Sequence, residues 1–244
     1  MKTVLAIPSF NGAELLQTLL TQAIKQNFYK IYVLDDSSTD NSRDIYKRFP
    51  EVEVVFGHKN IGPVANKNRV LGQDLGDVIF FLDDDMDIKT PDIPEKLNEL
   101  FKKDNKIAVI GAKIVDLENK QLIFNFERES NPLFRWVERP FISPKMTEKE
   151  FNNPLTEVAW VLEGACAIKS EVFVELKGFD ERFIRYAEGP DLCKRVLDLG
   201  YKVYMTNSIK LVHTRDLKIF TPSHYYRYFR SSLTWYRLHA FKRK

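Results

Sequence analysis

Along the first 115 residues, short runs of β-branched and aromatic residues alternate with longer stretches whose apolar positions recur every three or four residues. That alternation predicts strand–helix–strand units, because a two-residue period buries one face of a strand and a 3.6-residue period buries one stripe of a helix. Val4 to Ile7 reads as the first strand, stopped by Pro8. Glu14 to Lys25 carries apolar residues at Leu15, Leu16, Leu19, Leu20, Ala23 and Ile24, a helical stripe, and reads as a helix. A strand is expected at Ile31–Leu34, a helix after Thr39, where Asp40 and Asp44 suit a helix start, a strand at Val52–Val55 and a helix from Pro63 to Leu71. Asp77 to Leu82 is almost wholly apolar, as in a strand buried on both faces, and it ends in FLDDDMD. Residues 90–104 read as a helix with prolines in its first turns, and Ile107–Val115 as a strand. The periodicity then fails. Residues 127–155 contain Pro132, Pro140, Pro144 and Pro154 and are expected to form a mobile or substrate-covering loop. Val158–Ile168 is expected as one strand, Glu188–Leu199 as a helix, and Lys202–Tyr204 and Lys210–Val212 as short strands. The fold class predicted is α/β, a single domain over residues 1–216 with a mostly parallel central sheet flanked by helices, followed by a helical tail at 217–244.

Composition narrows this picture. The chain has 244 residues, 44% of them hydrophobic, with 37 Lys+Arg against 34 Asp+Glu. That is enough apolar chain for a sizeable core and excludes a collagen, a disordered tail protein or a disulfide-stapled mini-domain. Cys166 and Cys193 are too few for a disulfide framework and are expected to be free thiols in a reducing compartment. MKTVLAIPSF resembles neither a signal peptide nor a membrane span, and no run reaches the roughly 18 apolar residues a spanning helix needs. A cytoplasmic protein, either soluble or peripheral at the inner face of a membrane, is therefore expected. Charge is unevenly spread: residues 210–244 hold nine Lys or Arg and a single acid, Asp216. There Phe220, Tyr225, Tyr226, Tyr228, Phe229, Trp235, Tyr236 and Phe241 interleave with Arg227, Arg230, Arg237 and Lys242–Lys244, a composition that suits an anionic membrane surface or packing on the domain. Nucleic acid is not expected as a partner, since no motif for it accompanies the acidic body.

The strongest chemical signal is acidic residues at strand ends, the edge of an open parallel sheet where ligands bind. Asp35-Asp36 follows IYVL, and Asp83-Asp84-Asp85 with Asp87 follows IFFL. Three adjacent carboxylates at the end of a buried strand repel one another unless a cation neutralises them, and Mg²⁺ or Mn²⁺ fits, completing its octahedron with water and phosphate oxygens. With that chemistry in place, the sequence resembles the family-2 glycosyltransferases of the GT-A fold. Six landmarks carry the resemblance in order: IPSFN at 7–11, VLDDSSTDNS at 33–42, NIGPVANKNRVL at 60–71, FLDDDMD at 81–87, EGACAIKSEVFVELKGFDERF at 163–183 and AEGPDLCKRVLDLGYKVY at 187–204.

The resemblance implies site roles. Pro8, Phe10 and Asp36 would frame the base of a nucleoside-diphosphate-sugar donor, although Asp36 could instead cap the helix after Ser37. Lys67 and Asn68 occupy an Arg-Asn pair that meets the donor, with a solvated helix face as the alternative for Lys67. FLDDDMD matches an Asp-x-Asp motif, so Asp83 and Asp85 would hold ribose and metal with Asp84 between them, and His213 would sit near the metal or phosphates. Catalysis in the family inverts the anomeric centre by direct attack of an acceptor hydroxyl of a glycan or lipid-linked acceptor, with a carboxylate as general base. The family's adjacent Glu-Asp pair becomes Glu188-Gly189 here, and the expectation is that Asp191 acts as base, with Glu188 the other candidate. Asp191 pairing with Lys194 or Arg195 is the competing arrangement. The activity implied is transfer from a nucleoside-diphosphate sugar, a UDP-sugar by preference, in cell-surface polysaccharide synthesis. Two alternatives stay open: a nucleotide-sugar-binding protein of the same fold without turnover, which Gly189 keeps in play, and a metal-dependent nucleotidyltransferase, for which IPSFNGAELL lacks the usual Gly-rich, basic phosphate loop.

Overall fold

The computed structural model describes residues 1–118, 120, 126–127, 153–215 and 222–239. Its strands are β1 (Thr3–Ser9), β2 (Lys30–Asp35), β3 (Val52–Phe56), β4 (Val78–Leu82), β5 (Met86–Ile88), β6 (Ile107–Val115), β7 (Phe126–Glu127), β8 (Thr156–Glu157), β9 (Trp160–Val161), β10 (Ala165–Lys169) and β11 (Lys202–His213). The helices are α1 (Ala13–Ala23), α2 (Ser42–Tyr46), α3 (Pro63–Asn68), α4 (Ile93–Phe101), α5 (Ser170–Glu175), α6 (Glu188–Asp198) and α7 (Pro222–His239), with a 3-10 turn at Arg69–Gly72. The main sheet runs β3-β2-β1-β4-β10-β6-β11-β5, with β8 beside β11, and β7 pairs β9 separately.

The sheet is mixed rather than mostly parallel. β3, β2, β1 and β4 are parallel, as is β6 with β11, whereas β10 runs antiparallel to both β4 and β6, and β5 and β8 antiparallel to β11. Inserting one reversed strand keeps β11 parallel to β4. The carboxyl ends of β1, β2, β4 and β11 and the amino end of β10 therefore share one edge. β4 is buried throughout, and its side chains alternate between two cores. Phe80 and Leu82 join the core under α1, α2 and α4, while Ile79 and Phe81 join the one under α3, α5 and α6. Leu16, Leu19 and Leu20 of α1 are fully buried, each contributing about 1.5–3 kcal/mol relative to exposure.

Among the differences from the sequence reading, three shape the sheet. β1 passes through Pro8 to Ser9. The Thr3 and Ser9 carbonyls turn toward β2, so the Pro8 nitrogen faces the β4 side, where pairing ends at Ala6 and no N–H is needed. Val158–Ile168 is not one strand: a turn with Ala165 N–H donating to the Leu162 carbonyl separates β9 from β10. The two short strands near the end merge into β11, with a register shift between Thr206 and Lys210. The loop expected over 127–155 lies almost wholly outside the described residues. In the tail, α7 packs one face on the body: Ser231 is 4% exposed and donates to the Arg185 carbonyl, and Trp235 and Leu238 pack on the second core. No described helix is long and apolar enough to cross a membrane.

Candidate active site

At the shared edge, the acidic turn after β4 holds three carboxylates in different surroundings. Asp83 lies against Gly164, where a Cβ would come within 2.1 Å of its Oδ2, so only glycine lets the β9–β10 turn pass there. Its Oδ1 is 3.2 Å from Lys67 Nζ. Asp84 turns back to β1, accepting from Ser9 Oγ at 2.8 Å, and burial together with the neighbouring Asp85 and Asp83 pushes its carboxyl up to about 7. Asp85 is raised chiefly by burial and by Asp83, with His213 and Arg215 opposing the rise. Its Oδ2 lies 3.7 Å from His213 Nε2, brought there by the antiparallel β11–β5 ladder that pairs His213 with Met86.

His213 Nδ1 is 2.7 Å from the Arg215 carbonyl. Only an N–H can bond there, which makes Nε2 of the neutral ring an acceptor facing the Asp85 carboxylate. Two acceptors facing each other suit a bridging cation, and a backbone bond at the far nitrogen is the usual support of a metal-bound imidazole. Among the described residues, no three His, Cys, Asp or Glu side chains cluster tightly enough to hold an ion alone. Two protein ligands completed by phosphate and water remain compatible with Mg²⁺ or Mn²⁺.

Lys67 is not on a solvated helix face. It is 2% exposed, with Asp83 at 3.2 Å and Glu163 at 3.8 Å. Burial alone would lower its pKa, but the carboxylates of Asp83, Glu163 and Glu188 outweigh that and hold the ammonium above the ordinary lysine value. Asn68, the other half of the expected donor pair, turns away: its amide nitrogen donates to the Phe179 carbonyl at 2.9 Å and its oxygen accepts from Phe179 N–H at 2.8 Å. Both ends of the side chain are spent on clamping the segment after α5.

Asp36 does not cap the helix after Ser37. Asp35 does the local work, accepting from Ser38 N–H and Tyr46 Oη at 2.7 and 2.6 Å. Asp36 accepts instead from the backbone N–H groups of Ile61 and Gly62, at 2.8 Å from the latter, with Arg69 3.4 Å away. It therefore sets the loop before α3. Pro8 is buried within β1, whereas Phe10 stands 46% exposed at the mouth of the edge.

The acids of α6 diverge. Tyr186 and Ala187 both adopt left-handed angles (φ 71° and 66°), costly for non-glycine residues, and they turn the chain sharply into the helix. Asp191, expected as the base, is 1% exposed. Its Oδ2 accepts from Arg195 Nε at 2.8 Å and its Oδ1 lies 2.7 Å from His239 Nε2 of α7. Arg195 also donates to the Leu176 and Gly178 carbonyls, so Asp191 belongs to a network tying α5, α6 and α7 together. Glu188 is 3% exposed, and one of its oxygens has no hydrogen-bond partner among the described residues. Burial and the Glu163 carboxylate push its carboxyl well above the usual range, against the pull of Lys67. Glu163 itself, on the turn between β9 and β10, is a site residue that sequence reading passed over. The only signal was its place at the head of the EGACAIK landmark, and that run was read as strand.

The comparisons with known proteins point one way. The chain is 23% identical over 202 residues to the O-antigen chain rhamnosyltransferase WbaN of Salmonella anatum, covering 82% of this chain and 60% of that protein. It is 29% identical over 141 residues to the poly(ribitol-phosphate) beta-glucosyltransferase of Bacillus spizizenii, covering 54% of this chain and 22% of the relative. The chain thus spans less than two thirds of either relative. Among solved structures, GalNAc-T7 with UDP, GalNAc and Mn²⁺ superposes with a TM-score of 0.77 at 16% identity, over 99% of this chain and 48% of that one. S. aureus TarS 1-349 in complex with UDP gives 0.67 at 17% identity, over 96% and 65%. At such identities the likeness shows the fold, a single α/β domain of the GT-A type. Residues 4–175 match the sequence model for glycosyl transferase family 2, and the chain belongs to that family.

Proposed function

We propose that this chain transfers a sugar from a nucleoside-diphosphate donor, a UDP-sugar by preference, to a hydroxyl of a glycan or lipid-linked acceptor, with inversion at the anomeric carbon. The observation that carries the reading is the meeting of Asp83, Asp85, His213 and Lys67 at one sheet edge. Asp85 and His213 would hold Mn²⁺ or Mg²⁺ with Asp83 beside them, and the ion would neutralise charge on the departing diphosphate. Lys67, kept cationic by its carboxylates, sets the position of Asp83. Phe10 and the 57–62 loop tied by Asp36 would frame the base, an exposed ring on one side and fixed backbone on the other. The relatives support this reading: the WbaN and Bacillus spizizenii proteins are named as sugar transferases, and GalNAc-T7 and TarS were solved with UDP. The nucleotidyltransferase reading has no comparable support.

The outer face of α7 extends the proposal to location. Tyr226, Phe229 and Leu233 are exposed beside Arg227, Arg230 and Arg237, and no acid lies within the helix. Aromatic and cationic side chains on one face suit an anionic membrane, where a lipid-linked acceptor would reside.

Thermal melting with UDP, GDP and dTDP, each with and without Mn²⁺, tests the donor site. A diphosphate at 100 times its Kd stabilises by about 2.7 kcal/mol, which for a chain of this size raises Tm by roughly 5–10 °C. The expected result is a rise with one diphosphate that requires Mn²⁺ and is lost in Asp85→Asn. A rise that is independent of metal and unchanged in Asp85→Asn would refute the metal-assisted reading.

A further inference from the structure

Three carboxylates approach the donor side of the edge from the C-terminal half of the chain: Glu163, Glu188 and Asp191. Their surroundings separate them. Asp191 has each oxygen bonded within the protein, by Arg195 and His239, and its side chain is 1% exposed, so no solvent-facing oxygen remains for a substrate. Glu188 is sealed at 3% exposure behind Glu163. Glu163 alone keeps solvent access, its side chain being 14% exposed, and it lies 3.8 Å from Lys67, which in turn touches Asp83.

The backbone makes room for it. An ideal Cβ at Gly189 would lie 2.7 Å from Glu163 Oε2 and 2.9 Å from the Val161 carbonyl, so the Glu163 carboxylate occupies the space a side chain at 189 would need. The reversed strand β10 delivers Glu163 there, because its amino end, paired through Ala165 with Leu82, meets the carboxyl end of β4. Lys67 and the first turn of α6 hold the carboxylate in place, while Glu188 closes the site behind it.

We propose that Glu163 is the general base of the transfer, with Gly189 the residue that admits it; this rests on the transferase reading given above. The Glu163 carboxylate accepts the proton of the attacking hydroxyl as that oxygen bonds to the anomeric carbon. The bond from that carbon to the diphosphate breaks, and the nucleoside diphosphate leaves with the electron pair. Asp191 is then a structural residue, and its charge takes no part in the step.

The test is donor hydrolysis, with water standing in for the acceptor, using UDP-glucose, UDP-GlcNAc, UDP-galactose, GDP-mannose and dTDP-rhamnose with Mn²⁺. UDP and GDP affinities and Tm are measured alongside. A base contributes roughly 10²–10⁴-fold, so Glu163→Gln is expected to lower kcat by about that factor, with the affinity for the diphosphate that binds the wild type held within about threefold. Should Glu163→Gln not fold, Glu163→Asp, which keeps the charge beside Lys67 and shortens the reach, is expected to lower kcat at an unchanged Tm. Wild-type turnover retained in the folded Glu163 variant would overturn the assignment while leaving the transferase reading intact. No hydrolysis by the wild-type protein with any donor, despite Mn²⁺-dependent diphosphate binding, would overturn both.

Discussion

At the scale of single residues, two carboxylates three positions apart on α6 have unlike fates, decided by what packs on each side. Asp191 meets Arg195 one turn along its own helix and His239 from a helix 48 residues later, so removing its carboxylate strands the Arg195 guanidinium and takes the partner from the His239 ring. Breaking a buried pair costs about 3–5 kcal/mol, toward the lower end here because the Arg195 side chain is 22% exposed. Asp191→Ala is therefore expected to lower Tm by roughly 10 °C, with kcat of the folded fraction at low temperature close to wild type. A fall in kcat of a hundredfold or more at an unchanged Tm would return Asp191 to the chemistry. Gly189→Ala should behave in the opposite way. Its methyl meets Glu163 Oε2 and the Val161 carbonyl, an overpacking worth about 1–3 kcal/mol, and it displaces the carboxylate proposed as base. Turnover should drop at least tenfold with UDP affinity retained, which parallel calorimetry and rate assays would check.

At the scale of elements, the site depends on how ends are joined. The acidic turn holds because β4 is buried to its last residue while Ser9, Lys67, His213 and the β9–β10 turn each take up one part of its charge or volume. Asn68 contributes at one remove, its amide bonded on both sides to the Phe179 backbone. Asn68→Ala leaves that N–H and carbonyl without partners, a cost of about 1–3 kcal/mol. Because the Phe179 ring lies 5.9 Å from Lys67 Nζ and packs edge-on against Phe81, loosening the segment should disturb the site as well as stability. A lower Tm accompanied by weaker Mn²⁺-dependent diphosphate binding is expected, and an unchanged binding constant would confine Asn68 to a purely structural part.

At the scale of the whole molecule, α7 has two faces with separate duties. The inner face, through Ser231, Trp235, Leu238 and His239, ties the tail to the body. The outer face carries the arginines and exposed rings that are proposed to meet a membrane. Substitutions on the outer face alone test that contact without undocking the helix. Each arginine near an anionic surface contributes about 1 kcal/mol, so Arg230→Gln with Arg237→Gln should weaken binding to phosphatidylserine vesicles roughly 30-fold, with Tm unchanged. Raised salt should weaken binding by the wild-type protein in the same direction through screening. Equal sedimentation with vesicles by both proteins would reject the membrane contact.

The sequence by itself determined the alternating strand and helix pattern of the first half, because period and burial are local properties, and it marked the acidic turn after β4, because charge at the end of an apolar run is visible without a fold. The resemblance to family 2 was also legible, since its landmarks are short and keep their order. Only the tertiary structure decided the rest. The reversal of β10 cannot be read from a run of apolar residues, because a strand buried on both faces looks the same in either direction, and that reversal is what brings Glu163 to Asp83 and Lys67. Asp191 and Glu188 carry the same chemistry in the sequence. Their separation came from partners distant along the chain, His239 for one and Lys67 with Glu163 for the other, because the state of a carboxylate is set by the charges and solvent around it in space.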